Sequence, residues 1–157
     1  MTALNTNARI AVIGAGAMGA GIAQVAAQAG HPVLLLDNRP GAAAQAIDGI
    51  DRQLGKRVEN GKLSAEARTA TIARLQAVEA IEALADCELI IEAIVENLEV
   101  KRALFRQLES ICGEHCILAS NTSSLSITSI AAQLHHPQRL LGLHFFNPAP
   151  VMSLVEI

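Results

Sequence analysis

A short apolar run, Arg9 to Ile13, stops at Gly14-Ala15-Gly16-Ala17-Met18-Gly19, and an alanine-rich stretch follows at once. Few folds accept that order. The run suits one fully buried strand. Each glycine then has a separate role. Gly14 permits a tight turn, Gly16 lets the backbone approach a pyrophosphate, and Gly19 lets the helix pack close to the strand. The first turn of that helix offers unpaired N–H groups and the positive end of its dipole. Ala17–Ala29 reads as the helix, closed by Gly30 with Pro32 beyond. Val33–Leu36 reads as a second buried strand ending at Asp37, 18 residues after Gly19. A carboxylate there accepts from both ribose hydroxyls of NAD and repels the 2′-phosphate of NADP. Arg39, two residues on, leaves a small opening for the phosphorylated cofactor. The unit predicts dinucleotide binding, with NAD preferred, through Gly14, Ala15, Gly16, Ala17, Met18, Gly19 and Asp37.

The alternation continues down the chain. A helix is expected from Pro40 to about Asn60, with Gly61 just after it. Ser64 opens another, reaching about Arg74. Leu75–Val78 and Glu88–Glu92 read as strands, and Leu98–Ile111 as an amphipathic helix with Val100, Ala103, Leu104, Leu108 and Ile111 on one face. Cys116–Ser120 is a strand, Ser126–Leu134 a short helix and Leu140–Phe146 a strand. Asn147-Pro148-Ala149-Pro150 then turns the chain into a last strand, Val151–Ile157. Strands alternating with helices predict a Rossmann-type, doubly wound α/β fold, with a mostly parallel sheet covered by helices on both faces. The 157 residues suit one domain, 1–157.

Composition excludes several alternatives. At 51% hydrophobic the chain is not disordered. A net charge of −3 and 2% aromatics supply neither phosphate neutralisation nor base stacking, so no nucleic-acid partner is expected. From Ile10 to Leu36 there is no acidic or basic side chain, yet crowded glycines and Gly30-His31-Pro32 argue against a membrane span. Three cysteines, Cys87, Cys112 and Cys116, fit a reducing, cytoplasmic setting better than a disulfide framework. Met1–Ala8 has no apolar core of its own, so no signal peptide is expected. Cys112 and Cys116, with His115 between, lack a second pair of ligands, and no metal is expected.

Two residues stand out for chemistry. His144 lies in a strand otherwise built of leucine and phenylalanine, where a histidine is ordinarily a satisfied core group. The turn at Asn147–Pro150 brings the strand carrying Glu156 back beside it. Glu156 sits among Leu154, Val155 and Ile157, where an unpaired carboxylate would be costly, and a His–Glu pair satisfies both. Such a pair is also an acid/base unit, because the carboxylate fixes the tautomer and stabilises the imidazolium. Spacing alone leaves the structural and catalytic readings level. Ser120-Asn121-Thr122-Ser123-Ser124 follows a strand at the ligand end of such a sheet; it either lines the site or caps the next helix.

Four segments carry a family resemblance: GAGAMGAGIAQ, IIEAIVENLEVKRALF, ASNTSSLSITSIA and GLHFFNPAPVMSLVEI, in that order. From about Arg9 to the last residue the chain resembles the N-terminal NAD-binding domain of the 3-hydroxyacyl-CoA dehydrogenases. The resemblance implies reversible NAD-dependent oxidation of (S)-3-hydroxyacyl-CoA to 3-oxoacyl-CoA, as in fatty-acid β-oxidation. It makes His144 the catalytic base, Glu156 its carboxylate partner and Ser123 the serine that holds the substrate oxygen. It also implies cofactor contacts from Glu96, Lys101, Ser123 and Asn147, and a coenzyme A phosphate contact from Lys56. Ser153 stands where the family usually has lysine. Family members continue into a helical C-terminal domain that makes a homodimer and closes the substrate cleft; that domain is absent from this chain, which stops one residue after Glu156.

Two other readings compete with this one. A non-catalytic NAD-binding module would need neither the His144–Glu156 pair nor Ser123. Another two-domain oxidoreductase, such as a 3-hydroxyisobutyrate or sugar-acid dehydrogenase, commonly uses a lysine base on a later helix, which the HFFNP stretch disfavours.

Overall fold

The apolar run after Arg9 forms β1 (Ile10–Ile13), and Val33–Leu36 forms β2 beside it in parallel. A computed structural model describes residues 4, 5 and 7–157. Met1–Ala3 and Thr6, part of the segment expected to carry no signal peptide, lie outside the described residues. β3 (Leu75–Val78), β4 (Leu89–Glu92), β5 (Ile117–Ser120) and β6 (Leu140–Gly142) complete one sheet in the order β3-β2-β1-β4-β5-β6, parallel throughout. Every residue of β1, β2 and β4 is buried, which is why β1 and β2 read as unbroken apolar runs rather than alternating ones, as β4 does up to Glu92.

Alternate strand residues serve two cores. Val12 and Leu35 face one side, with Ile22 and Ala23 of α1 (Ala17–Gln28) and Ile50 and Leu54 of α2 (Ala42–Glu59). Ala11 and Leu34 face the other, with Phe105 and Leu108 of α4 (Leu98–Ile111) and Ile130 of α5 (Ile127–Ala131). Between them in sequence lies α3 (Ala65–Ile72), which packs on α2. The fold is the Rossmann-type α/β sandwich the alternation predicted.

Helix starts follow local chemistry. Ser64, Asn97 and Ser126 accept N–H bonds at 3.1, 3.1 and 3.2 Å to cap α3, α4 and α5. Pro40 does not begin α2 as expected. Gly41 intervenes with φ +74°, so Pro40 belongs to the turn leaving β2. α3 stops at Ile72, two residues short of the expectation, and α5 is also shorter than predicted.

The main departure is at the end. Leu140–Phe146 is not one strand. The Leu143 N–H still reaches Ser120 O at 2.9 Å, but β5 ends there, and the next donor, Phe145 N–H, goes to the Asn121 side chain at 2.8 Å. The chain therefore leaves the sheet. His144–Phe145 (β7) pairs antiparallel with Val155–Glu156 (β8), which is all that forms of the predicted strand Val151–Ile157. Pro148 and Pro150 carry no N–H for a longer ladder. Among the described residues no helix is long and apolar enough to cross a membrane.

Candidate functional site

Strand order reverses between β1 and β4, and in such sheets a ligand lies in the crevice beyond the strand ends. The glycine loop stands at that point. Gly14 has φ +103°, and a Cβ there would fall 2.5 Å from the Ala93 carbonyl oxygen. At Gly19 a Cβ would fall 1.7 Å from the Gly14 oxygen, so this glycine lets α1 close onto its own loop more than onto β1. Gly16 is different: no atom lies within 4 Å of where its Cβ would be. The loop is tight on its inner side and open on its outer one. Gly16 also begins α1 without a side-chain cap, and no acidic residue occupies the first turn. The first turn of α1 therefore carries no carboxylate of its own to compete for its amides, a fit for a pyrophosphate.

Asp37 reaches this loop from the end of β2. Its Oδ2 accepts from Ala15 N–H at 2.7 Å, and its Oδ1 from the backbone N–H and Nε of Arg39 at 3.0 and 3.1 Å. Burial pushes the Asp37 carboxyl up, but these bonds and the nearby guanidinium together outweigh it and hold it below its usual range. Asp37 opens on a cleft of about 500 Å³ whose far wall is Ile94, Val95, Val100 and Leu104. Val95 and Val100 are 64% and 44% exposed, an apolar surface suited to a flat aromatic ring.

Glu96 and Lys101 come together, though not side by side on open surface. Lys101 is 1% exposed; its ammonium lies 2.5 Å from Glu92 Oε1 and 3.2 Å from Glu96 Oε2. Glu96 is the member that faces outward, with 39% of its side chain accessible. Its other oxygen accepts from the Thr122 and Ser124 hydroxyls. Desolvation raises the Glu96 carboxyl, and the Thr122 bond, the Lys101 charge and the Ser124 bond more than reverse this.

His144 and Glu156 face each other directly in the β7–β8 register, with His144 Nδ1 2.8 Å from Glu156 Oε2. A carboxylate only accepts, so Nδ1 carries the proton, and in the neutral ring it is Nε2 that has the lone pair. The ring is tilted against Phe146 at a centroid distance of 4.7 Å. Ser123, exposed and flanked by Thr122 and Ser124, lines the same cleft of about 310 Å³ as His144 and Glu156. The ground on which sequence pairs these two needs correction. Glu156 is surrounded by apolar residues in sequence, but its side chain is 63% exposed, so avoidance of a buried charge is not what pairs it here. The antiparallel register brings the two side chains together.

Asn147 lies elsewhere, on a third cleft of about 700 Å³ between α1, α2 and the Asn147–Val151 turn, where the Asn147–Pro148 bond is cis. Lys56 is exposed on α2 but does not line that cleft; Arg57, one residue on, does, together with Gln53. Helical spacing from the cleft-facing Gly49 and Ile50 points to 53 and 57 rather than 56, a signal the lysine obscures. Sequence reasoning also misses Glu92, and it places Ser120 and Thr122 in the polar loop without finding their partners, Glu92 and Glu96. Glu92 carries the same mark that draws attention to Glu156, a carboxylate inside an apolar strand. Cys87, Cys112 and Cys116 are free and buried, and burial pushes the Cys87 thiol up to about 11.

Comparison with known proteins bears on this arrangement. Residues 9–157 match the family described as the 3-hydroxyacyl-CoA dehydrogenase NAD-binding domain. The chain is 57% identical over 148 residues to 3-hydroxyadipyl-CoA dehydrogenase of Escherichia coli K12, covering 94% of this chain and 31% of that protein. It is 46% identical to a probable 3-hydroxybutyryl-CoA dehydrogenase of Bacillus subtilis, covering 95% of this chain and 52% of that protein. A crystal structure of 3-hydroxybutyryl-CoA dehydrogenase from Escherichia coli K12 superposes with a TM-score of 0.93 at 56% identity, over 97% of this chain and 32% of that one. The chain thus spans between about a third and about half the length of these relatives.

Proposed function

The chain belongs to the NAD-binding domain family of the 3-hydroxyacyl-CoA dehydrogenases, and on that premise we propose that it carries the acid/base half of the family's reaction: oxidation of a 3-hydroxyacyl-CoA to the 3-oxoacyl-CoA, and its reverse. The observation that carries the reading is the His144–Glu156 pair at 2.8 Å, in one cleft with the Ser123 hydroxyl. A module that only held a dinucleotide would need none of the three.

Bound NAD supplies the hydride acceptor. The open face of Gly16 and the free first turn of α1 fit its pyrophosphate, and Asp37 its adenosine ribose. Glu96, fixed by Lys101, Thr122 and Ser124, fits the second ribose, and Asn147, on the separate cleft between α1 and α2, is assigned to the nicotinamide half by the family resemblance alone. His144 Nε2 takes the proton of the substrate hydroxyl, and Glu156, bonded to Nδ1–H, compensates the imidazolium that forms. Ser123 donates to the substrate oxygen, stabilising charge as it develops. In the opposite direction the imidazolium returns the proton to that oxygen. Lys56, exposed in the last turn of α2, is the residue assigned to a coenzyme A phosphate. Three free, buried cysteines fit a cytoplasmic, reducing compartment.

The test is NADH fluorescence with this chain added first and acetoacetyl-CoA second. An emission change followed by steady loss of NADH is the expected result for complete chemistry. An emission change with no later loss means a cofactor module that does not turn over alone. No emission change from folded protein ends the dinucleotide reading.

Asp37→Ala is expected to weaken NADH about 10- to 100-fold, the loss of charge-assisted bonds to the ribose. NADPH should weaken much less, because Arg39 is freed from its 3.1 Å contact with the carboxylate and the repulsion of the 2′-phosphate is gone. Titrating both cofactors checks this. Equal weakening means that the carboxylate does not read the ribose.

A further inference from the structure

Glu92 ends β4 in the middle of the sheet, its exposure is 0%, and the proposed reaction gives it no part. Its carboxylate is fully committed inside the protein. Oε1 accepts from Lys101 Nζ at 2.5 Å and Ile94 N–H at 2.8 Å, and Oε2 from Ser120 Oγ at 2.7 Å. Stability does not explain such a pair, since buried ion pairs tend only to break even against apolar side chains of the same volume. A lysine also carries its charge on a flexible stem. What Glu92 does achieve is to fix where that charge ends.

The consequence reaches the crevice. With Nζ held on Glu92, the same ammonium stands 3.2 Å from Glu96, whose second oxygen takes the Thr122 and Ser124 hydroxyls. Ser120, which bonds Glu92, begins that serine loop, and Thr122 and Ser124 flank Ser123. We propose that Glu92 is a positioning residue: through Lys101 it holds the Glu96 carboxylate in one orientation at the ribose on the nicotinamide side of the dinucleotide. The proposal rests on the reading that Glu96 meets that ribose. Because the network closes around Ser123, the cofactor side and the substrate side of the site share one internal frame.

The double substitution Glu92→Met/Lys101→Met removes both charges and keeps the volume. NADH affinity is expected to fall about tenfold, the loss of one oriented charge-assisted bond. ADP, which lacks the nicotinamide half, should bind within about twofold of the unsubstituted chain. The thermal midpoint should hold or rise. Unchanged NADH affinity, or parallel loss of NADH and ADP, overturns the proposal. Glu92→Gln, which leaves the Lys101 side chain in place, is titrated with the same two ligands whether or not the double variant folds, with the same split expected and the same two results against it, so that a direct contact of Lys101 with the cofactor does not account for the loss. Glu96→Gln separates this proposal from its premise. Unchanged NADH affinity in Glu96→Gln removes Glu96 from the cofactor site and the positioning role with it. Weakened NADH there, beside unchanged affinity in the double variant, removes the positioning role alone.

Discussion

Replacing His144 with alanine is expected to lower turnover about 10²–10⁴-fold, the usual span for loss of a general base, with NADH affinity within about twofold. The division follows from placement. His144 lies on β7, outside the six-stranded sheet, and shares its cleft with Ser123 rather than with the glycine loop or Asp37. Its only side-chain hydrogen bond among the described residues is to Glu156, and 24% of its side chain is accessible, so removing the imidazole leaves the cofactor crevice and both cores intact. The measurement is steady-state oxidation of a 3-hydroxyacyl-CoA beside an NADH titration, in a polypeptide that contains this chain and turns over. A large loss of NADH affinity would make His144 structural.

Glu156→Gln extends the same test. A glutamine amide can donate to Nδ1 and so move the ring proton to Nε2, the nitrogen that must accept from substrate. Buried triads lose heavily from that change of tautomer. Here the carboxylate is 63% exposed, and water can stand in for part of its work, so a loss smaller than that of His144→Ala is expected.

The parts of this molecule legible in the sequence are those where one residue's requirement is local. Gly14, Gly16 and Gly19 announce a loop because each spacing has one backbone use, and the bounds of Leu98–Ile111 are legible from its apolar period, although Val100 and Ala103 of the face read there are exposed and Lys101 and Phe105 are buried instead. What is not legible depends on partners distant in sequence. The Leu140–Phe146 run looks continuous, and only the end of β5 at Ser120, with Asn121 taking the Phe145 N–H, shows why the ladder must stop. Lys101 looks like a surface lysine on an exposed helix start until β4 is placed against α4. Glu92 then lies close enough to bury its ammonium. The His144–Glu156 pairing follows from the sequence on a partly mistaken ground: burial does not join them, register does.

Gly16 and Gly19 sit three residues apart in one motif, yet alanine should affect them in opposite ways. At Gly19 the new methyl would fall 1.7 Å from the Gly14 carbonyl oxygen, a backbone atom that cannot rotate away. α1 must lift from the loop, and the apolar contacts of Ile22 and Ala23 with the sheet loosen with it. Gly19→Ala is therefore expected to cost about 3–5 kcal/mol, at the exceptional end for single substitutions, and to abolish NADH binding as well. At Gly16 the methyl meets no protein atom within 4 Å, and the backbone there, φ −71° and ψ −175°, suits any L-residue. Gly16→Ala should leave the urea midpoint nearly unchanged, with an effect within about 0.5 kcal/mol. NADH affinity should nonetheless fall at least about tenfold, because the space the methyl takes is the space a pyrophosphate needs to reach the amides of α1. Urea unfolding and NADH titration of the two variants give four numbers. If Gly16→Ala binds NADH as tightly as the unsubstituted chain, the open face of the loop is not the phosphate cradle, whatever the fold shares with its relatives. If instead it loses binding while Gly19→Ala loses both, one motif divides its labour: one glycine makes the turn compact, and another keeps the ligand's place clear.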